Sequence, residues 1–194
     1  AAIEEDVRRI LENRQRRASL HALRERGADV VYHDVDVRSD DAFGKLIDDL
    51  YGRFGRIDAV LHGAGIIEDQ RIERKTHASF DRVFDAKADS AYVLRRHLRS
   101  ESLKWIALFS SVTARTGNVG QADYAAGNEV MNRIAWDMAR SWPSTRVVAI
   151  GWGPWQQTGM VRPEVQRALE QRGYETIRPE AASSFFAAEL AFGS

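Results

Sequence analysis

Ser110 to Asn128, SSVTARTGNVGQADYAAGN, is the stretch on which the reading of this chain turns. The residues before it, Trp105-Ile106-Ala107-Leu108-Phe109, form an unbroken apolar run, the pattern of a buried parallel strand. From about Gln121 to Arg140 the pattern is helical. Gly117 and Gly120 lie between, turn residues with no side chain to block a ligand. This order puts Ser110 and Ser111 at the carboxyl end of a strand, where open α/β sheets bind their ligands. Tyr124 and Asn128 are four residues apart and share one face of the helix. A strand-end hydroxyl, a phenol and an amide can converge on one small polar group, and a carbonyl being reduced needs such a cluster.

On the carboxyl side, Arg146-Val147-Val148-Ala149-Ile150 reads as another buried strand. Gly151-Trp152-Gly153-Pro154-Trp155 then leads to Thr158-Gly159-Met160, and short helices are expected over 163–172 and 179–191. On the amino side, the spacing predicts one helix over 78–99, with the stripe Phe80, Val83, Phe84, Ala88, Ala91, Leu94 and Leu98. Before it, the strand Ile57-Asp58-Ala59-Val60-Leu61 runs into His62-Gly63-Ala64-Gly65, and a helix covers 41–54, ending near Gly55. Val30-Val31-Tyr32-His33 is a short expected strand, followed by Asp34-Val35-Asp36-Val37. Residues 3–26 predict a long, mostly solvated helix stopped by Gly27. Strands and helices thus alternate four times, which argues for βαβ units in an α/β doubly wound parallel sheet.

The chain has 194 residues, 44% of them apolar, enough for one domain with a substantial core. Lys+Arg and Asp+Glu are both 28, so no net field points to nucleic acid or to an anionic membrane. There is no cysteine, which excludes disulfides and cysteine-based metal sites; no metal site is expected. No apolar run approaches the ~18 residues of a membrane span, and no signal-like segment is read at the start; a cytoplasmic location is the expectation. Only Lys45, Lys75, Lys87 and Lys104 are lysines, so a lysine in an unusual place carries information. Lys87 falls in the middle of the apolar stripe of 78–99. Two readings stand: it snorkels along its stem to the surface, or it is inside and must find partners there.

These residues resemble the ketoreductase domains of polyketide synthases, within the short-chain dehydrogenase/reductase superfamily. His62-Gly63-Ala64-Gly65 is similar to the family's HAAG turn. Ser110-Ser111, Gly120-Gln121, Tyr124 and Asn128 match its SS…GQ..Y…N signature, and Trp152-Gly153-Pro154-Trp155 with Gly159-Met160 resembles its WG.W…GM segment. The resemblance runs from about Gly27 onward, and its details look most like reductases of iterative, polyunsaturated-fatty-acid-type synthases. Ordinary members of the superfamily carry Tyr-x-x-x-Lys; here the fourth residue after Tyr124 is Asn128, and no lysine follows Lys104. In polyketide ketoreductases the lysine and asparagine exchange places, and Lys87 stands where the resemblance puts the lysine. That favours the buried reading.

The resemblance implies hydride transfer from NADPH to a 3-ketoacyl thioester held by phosphopantetheine on an acyl carrier protein. In it Tyr124 gives the proton, Lys87 stabilises the phenolate, Ser111 orients the carbonyl oxygen and Asn128 holds Lys87 or a relay water. A free phenol has a pKa near ~10, which is why a neighbouring positive charge is required. Asp36 and Val37 match the family's adenine contact, and Gly63, Ala64, Gly65 and Ser110 its cofactor turn and strand end. Asp36 could instead cap the following helix, and the glycines could serve only the turn. Ile67-Glu68-Asp69 resembles the LDD motif of reductases giving the D-configured alcohol, with Thr116 where the opposite class has Trp; Asp69, Trp152 and Met160 are the expected substrate and stereocontrol residues. Glu68-Asp69 could equally be a solvated loop pair.

One family element is not found: a T-G-G-x-G-x-x-G-type turn after the first strand. Gly27 is the single glycine among residues 1–30. The expectation is a Rossmann-like fold lacking its first β-α unit in this chain, the carboxyl-terminal two-thirds of a ketoreductase domain in a larger multidomain protein. The amino-terminal part of that domain or a second chain would complete it, with other synthase domains as further partners. Two alternatives are a structural, cofactor-free subdomain and a reductase of free small ketones. Loss of the Lys, Ser and Tyr together would mark the first, yet all three are present; the Lys/Asn exchange argues against the second.

Overall fold

The computed structural model describes residues 2–156, 167, 171 and 173–192. The chain divides into two compact units, residues 1–35 and 36–194. In the first, α1 (Ala2–Glu25) is the expected long helix. Its end is a Schellman motif: Gly27 N–H donates to Arg24 O at 2.9 Å and Ala28 N–H to Leu23 O at 3.2 Å. Gly27 takes φ 84°, a left-handed conformation that costs glycine nothing. The strand expected at Val30–His33 does not form: the segment has no strand partner and no regular structure, with Val31 and Tyr32 each 48% exposed. A strand is held by a neighbour's backbone groups, and this unit offers only a helix.

The second unit is built on three parallel strands in the order β1-β2-β3: β1 (Ala59–His62), β2 (Trp105–Ser111) and β3 (Arg146–Trp152). The register pairs His62 with Leu108 and Ser111 with Trp152, so the carboxyl ends of the three strands lie side by side. The parallel α/β architecture is as expected, with three strands among the described residues rather than four.

α2 (Asp40–Phe54) starts where the sequence changes from turn to amphipathic helix. Ser39 Oγ caps it by accepting from Ala42 N–H at 3.2 Å, with Asp40 and Asp41 in the first turn. The single helix expected over 78–99 is two: α3 (His77–Asp85) and α4 (Ala88–His97), broken at Ala86-Lys87. Ser90 Oγ–H donates to Ala86 O at 2.7 Å, a back-bond of the kind that bends helices, and no glycine or proline announced the break. After β2 comes a single turn of helix, α5 (Thr113–Thr116), then α6 (Ala122–Ser141). The expected carboxyl-terminal helix is α7 (Pro179–Phe192); that expected over 163–172 lies, apart from residues 167 and 171, outside the described residues.

Helices cover both faces of the sheet. On one, Ile47 and Tyr51 of α2, Val93 and Leu94 of α4 and Met131 and Met138 of α6 close over Ile106 and Leu108. On the other, Phe186 of α7 meets Trp105 and Phe109 edge-on, with ring centroids 6.5 and 5.4 Å apart. Because successive β2 residues point to opposite faces, the all-apolar run Trp105–Phe109 is what a strand between two layers requires.

Candidate active site

Ser111 ends β2 and is 8% exposed. Its Oγ accepts from Thr113 Oγ1–H at 2.9 Å and from Thr113 N–H at 3.2 Å. A serine hydroxyl has two lone pairs and one proton, so with both lone pairs engaged its proton is the part left to donate. Tyr124, half-buried on the first turn of α6, stands within hydrogen-bonding reach of the Ser111 and Asn128 side chains. Burial raises the phenol's pKa, and those two groups pull it back. Asn128 is fully buried: its Nδ2–H donates to Tyr124 O at 2.8 Å, while its Oδ1 is enclosed with no partner. Gly127 lets α6 come close to the α3–α4 break; an added Cβ would stand 3.1 Å from Phe84 O and 3.2 Å from Lys87 Cβ.

Lys87 is 3% exposed and sits at the helix break, so it does not snorkel. Its ammonium donates to Phe109 O at 2.7 Å, two residues before Ser111. Neither the Tyr124 hydroxyl nor the Asn128 amide is its hydrogen-bond partner. Burial without a carboxylate lowers its pKa to about 8. Beside it, His62 at the end of β1 is 5% exposed, with Nε2 2.9 Å from Ser90 Oγ. The Ser90 proton goes to Ala86 O, so His62 Nε2–H is the donor, which fixes the tautomer. Burial, and then the Lys87 charge, hold the imidazole neutral, with its pKa down at about 4.

The loop after β1 begins at Gly63-Ala64-Gly65; a Cβ built on Gly63 meets nothing within 4 Å. Further on, the loop is laced to the start of α6. Asp69 accepts two bonds from Gln121 Nε2, at 3.1 and 3.0 Å, and Gln70 N–H donates to Gly120 O at 2.9 Å. Burial is the largest influence on the Asp69 carboxyl and raises its pKa; Gln121 opposes it and the Asp123 charge adds to it. Lys75 Nζ donates to Asp123 Oδ2 at 2.5 Å and to Glu68 O at 2.7 Å. Glu68 is no free loop residue: it accepts from Ser79 Oγ at 2.7 Å and from Arg82 at 2.9 and 2.8 Å, which holds its pKa at about 2. Sequence reasoning missed the Lys75–Asp123 pair and the partners of Glu68, which it reads only as part of a motif or of a solvated loop pair; the scarcity of lysine was the signal that could have found Lys75.

Asp36 is exposed and its carboxylate is held by the Arg38 guanidinium, Nη2 to Oδ2 at 2.7 Å, which brings its pKa to about 2. Ser39, not Asp36, caps α2; Val37 is half-buried in the same turn. Ser110 is 4% exposed, with its Oγ enclosed and unpartnered. Trp152, at the end of β3, packs against Phe109, Trp155 and Phe185, and its indole Nε1 is likewise unpartnered. Met160 lies outside the described residues. Among the described residues no cluster of three or more His, Cys, Asp or Glu could hold a metal, and no helix is long and apolar enough to cross a membrane. The strand ends therefore carry Ser111, Tyr124 and Asn128 as one group, with Lys87 and His62 as a buried corner behind it.

Residues 7–157 match the family described as KR domain. Over 194 residues the chain is 31% identical to a polyunsaturated fatty acid synthase polypeptide of Thraustochytrium sp. (strain ATCC 26185 / S-3), a match that takes in 100% of this chain and 7% of that protein's length. An N-terminal ketoreductase from the macrolactin assembly line superposes with a TM-score of 0.81 at 26% identity, over 93% of this chain and 36% of the other. A short-chain dehydrogenase from Burkholderia cenocepacia J2315 in complex with NADP gives 0.77 at 15% identity, over 90% of this chain and 74% of the other, a likeness of fold alone. The parallel sheet is thus of the Rossmann-like kind, and the chain belongs to the KR domain family, the ketoreductases of polyketide synthases.

Proposed function

We propose that this chain forms the carbonyl-facing part of an NADPH-dependent reductase that turns a 3-ketoacyl thioester on an acyl carrier protein into the 3-hydroxyacyl thioester. The observation that carries the reading is the convergence of Ser111, Tyr124 and Asn128 at the carboxyl end of β2, with the buried Lys87 charge behind them. With both lone pairs of Ser111 Oγ engaged by Thr113, its one proton, which meets the Tyr124 hydroxyl here, is the group that turns to a carbonyl oxygen, and the hydrogen bond it makes there strengthens as charge builds. Tyr124 gives the proton to that oxygen. Lys87 supplies the positive charge in a low-dielectric setting, and the free Asn128 Oδ1 offers an acceptor for a water or for a lysine N–H in the relay.

The residues present fit a nicotinamide cofactor: a Cβ on Gly63 at the end of β1 would meet nothing within 4 Å, and Ser110 Oγ is an enclosed hydroxyl wanting a partner; Ala64 and Gly65 continue that turn, and Asp36 and Val37 are the adenine residues of this reading. NADPH, when bound, supplies the hydride. The phosphate-binding turn comes from the amino-terminal part of the same domain or from a second chain, and the other synthase domains are the wider partners. Asp69, Trp152 and Met160 are the stereocontrol and substrate residues of this reading. The product of this reading is the D-configured alcohol.

The test is NADPH oxidation by the natural polypeptide that carries this chain. A 3-ketoacyl thioester on the carrier protein should be turned over faster than a free small ketone, and chiral analysis should return the D-configured alcohol. Equal rates on free ketones would favour the small-ketone reading, no oxidation at all the cofactor-free one.

A further inference from the structure

α6 carries Tyr124, yet its N-terminus lacks an ordinary cap: Gln121 makes no side-chain capping bond. The first N–H groups of a helix need partners from outside the helix. Asp123 does this work, since its Oδ1 accepts from Tyr124 N–H at 2.9 Å. Its Oδ2 meets Lys75 Nζ at 2.5 Å, and Lys75 also donates to Glu68 O at 2.7 Å. The two side chains are 1% and 2% exposed. One carboxylate therefore links the backbone of Tyr124 to a lysine on a different segment, out of water, where a pair whose two ions are both satisfied holds a fixed geometry.

We propose that the Lys75–Asp123 ion pair positions Tyr124, resting on the reading of Tyr124 as the proton donor. Gln121–Asp69 and Gln70–Gly120 join the same two segments, so loop 68–75 and the first turn of α6 act as one body. Neither Lys75 nor Asp123 touches the reacting atoms. They act through the backbone N–H of Tyr124, and a shift of the carboxylate swings the phenol relative to Ser111. Even a small misplacement of a catalytic group is expensive in rate.

Two variants in the natural polypeptide test this. Lys75→Met with Asp123→Leu removes both charges, so neither partner is left alone in the interior. Asp123→Glu keeps both charges but moves the carboxylate out by one methylene. Both should lower kcat for a 3-ketoacyl thioester at least tenfold with KM within twofold. Both should also move the Tyr124 resonance in a tyrosine 13Cζ NMR titration, assigned by its loss in Tyr124→Phe, by half a pH unit or more. If the double variant does not fold, Asp123→Glu alone decides. A folded variant with wild-type kcat and an unmoved Tyr124 titration overturns the proposal. If the wild type reduces no thioester, the function reading fails while the NMR titration still judges the positioning.

Discussion

Two lysines lie inside this chain, and they are used in opposite ways. Lys75 meets a carboxylate, so its charge is cancelled where it stands and what it fixes is geometry. Lys87 meets a neutral carbonyl, so its charge is uncancelled, its pKa is down at about 8, and it lowers that of His62 as well. A buried ammonium facing only a carbonyl is poor for stability, and its uncancelled charge acts on its neighbours, as it does on His62. A pinned lysine and a poised one thus differ not in burial but in what stands opposite.

That contrast can be broken most sharply at Lys75. Lys75→Met leaves Asp123 unpaired in the interior and should cost about 3–5 kcal/mol in urea unfolding. A loss under about 1 kcal/mol would mean the pair is not the pin described here. Lys87 should behave in reverse. Its folded pKa lies below its unfolded value, so the unfolded chain holds more protons between about pH 8 and 10.5 and stability rises with pH across that window. The full effect is of order 3 kcal/mol. Lys87→Met should therefore be at least as stable as wild type at pH 7 and should lose that rise, while its ketone reduction collapses. A flat wild-type curve from pH 8 to 10.5 would refute it.

His62 sharpens the same corner from the acid side. Its neutral form is favoured in the fold, so its contribution is whole above pH 6.5 and is lost as pH falls toward about 4, at most about 3 kcal/mol. His62→Asn should flatten that part of the acid limb in denaturant midpoints measured against pH; an unchanged limb would argue for a charged imidazole. The smallest effect belongs to the solvent side. Arg38→Ala removes the partner of Asp36, but the pair is exposed, and unfolding should change by less than about 1 kcal/mol. A larger loss would mean that this turn is held more tightly than exposed pairs are.

Most of the residues that meet in the candidate site were legible in the sequence, and less of the frame was. Ser111, Tyr124 and Asn128 were legible because a continuous apolar strand, two glycines and a helical period fix where each must be. Lys87 was legible as a charge on an apolar stripe. Its hydrogen bond to Phe109 O was not, because it depends on the break at Ala86-Lys87, made by a Ser90 back-bond rather than by glycine or proline. The strand at Val30–His33 failed because β propensity is only an offer, and pairing takes a neighbour. Lys75 was hidden in a stretch of charge, QRIERK, that has the composition of a solvated loop; only the fold reveals that its last residue turns inward to Asp123.

The most direct test of the central claim is reduction of a 3-ketoacyl carrier-protein thioester by the natural polypeptide, wild type against Tyr124→Phe, under single-turnover conditions. Tyr124 as the proton donor predicts a rate lower by about 10²–10⁴ with NADPH affinity within twofold of wild type, since the hydroxyl acts on the transferred proton and not on cofactor binding. A Tyr124→Phe rate within tenfold of wild type would contradict it.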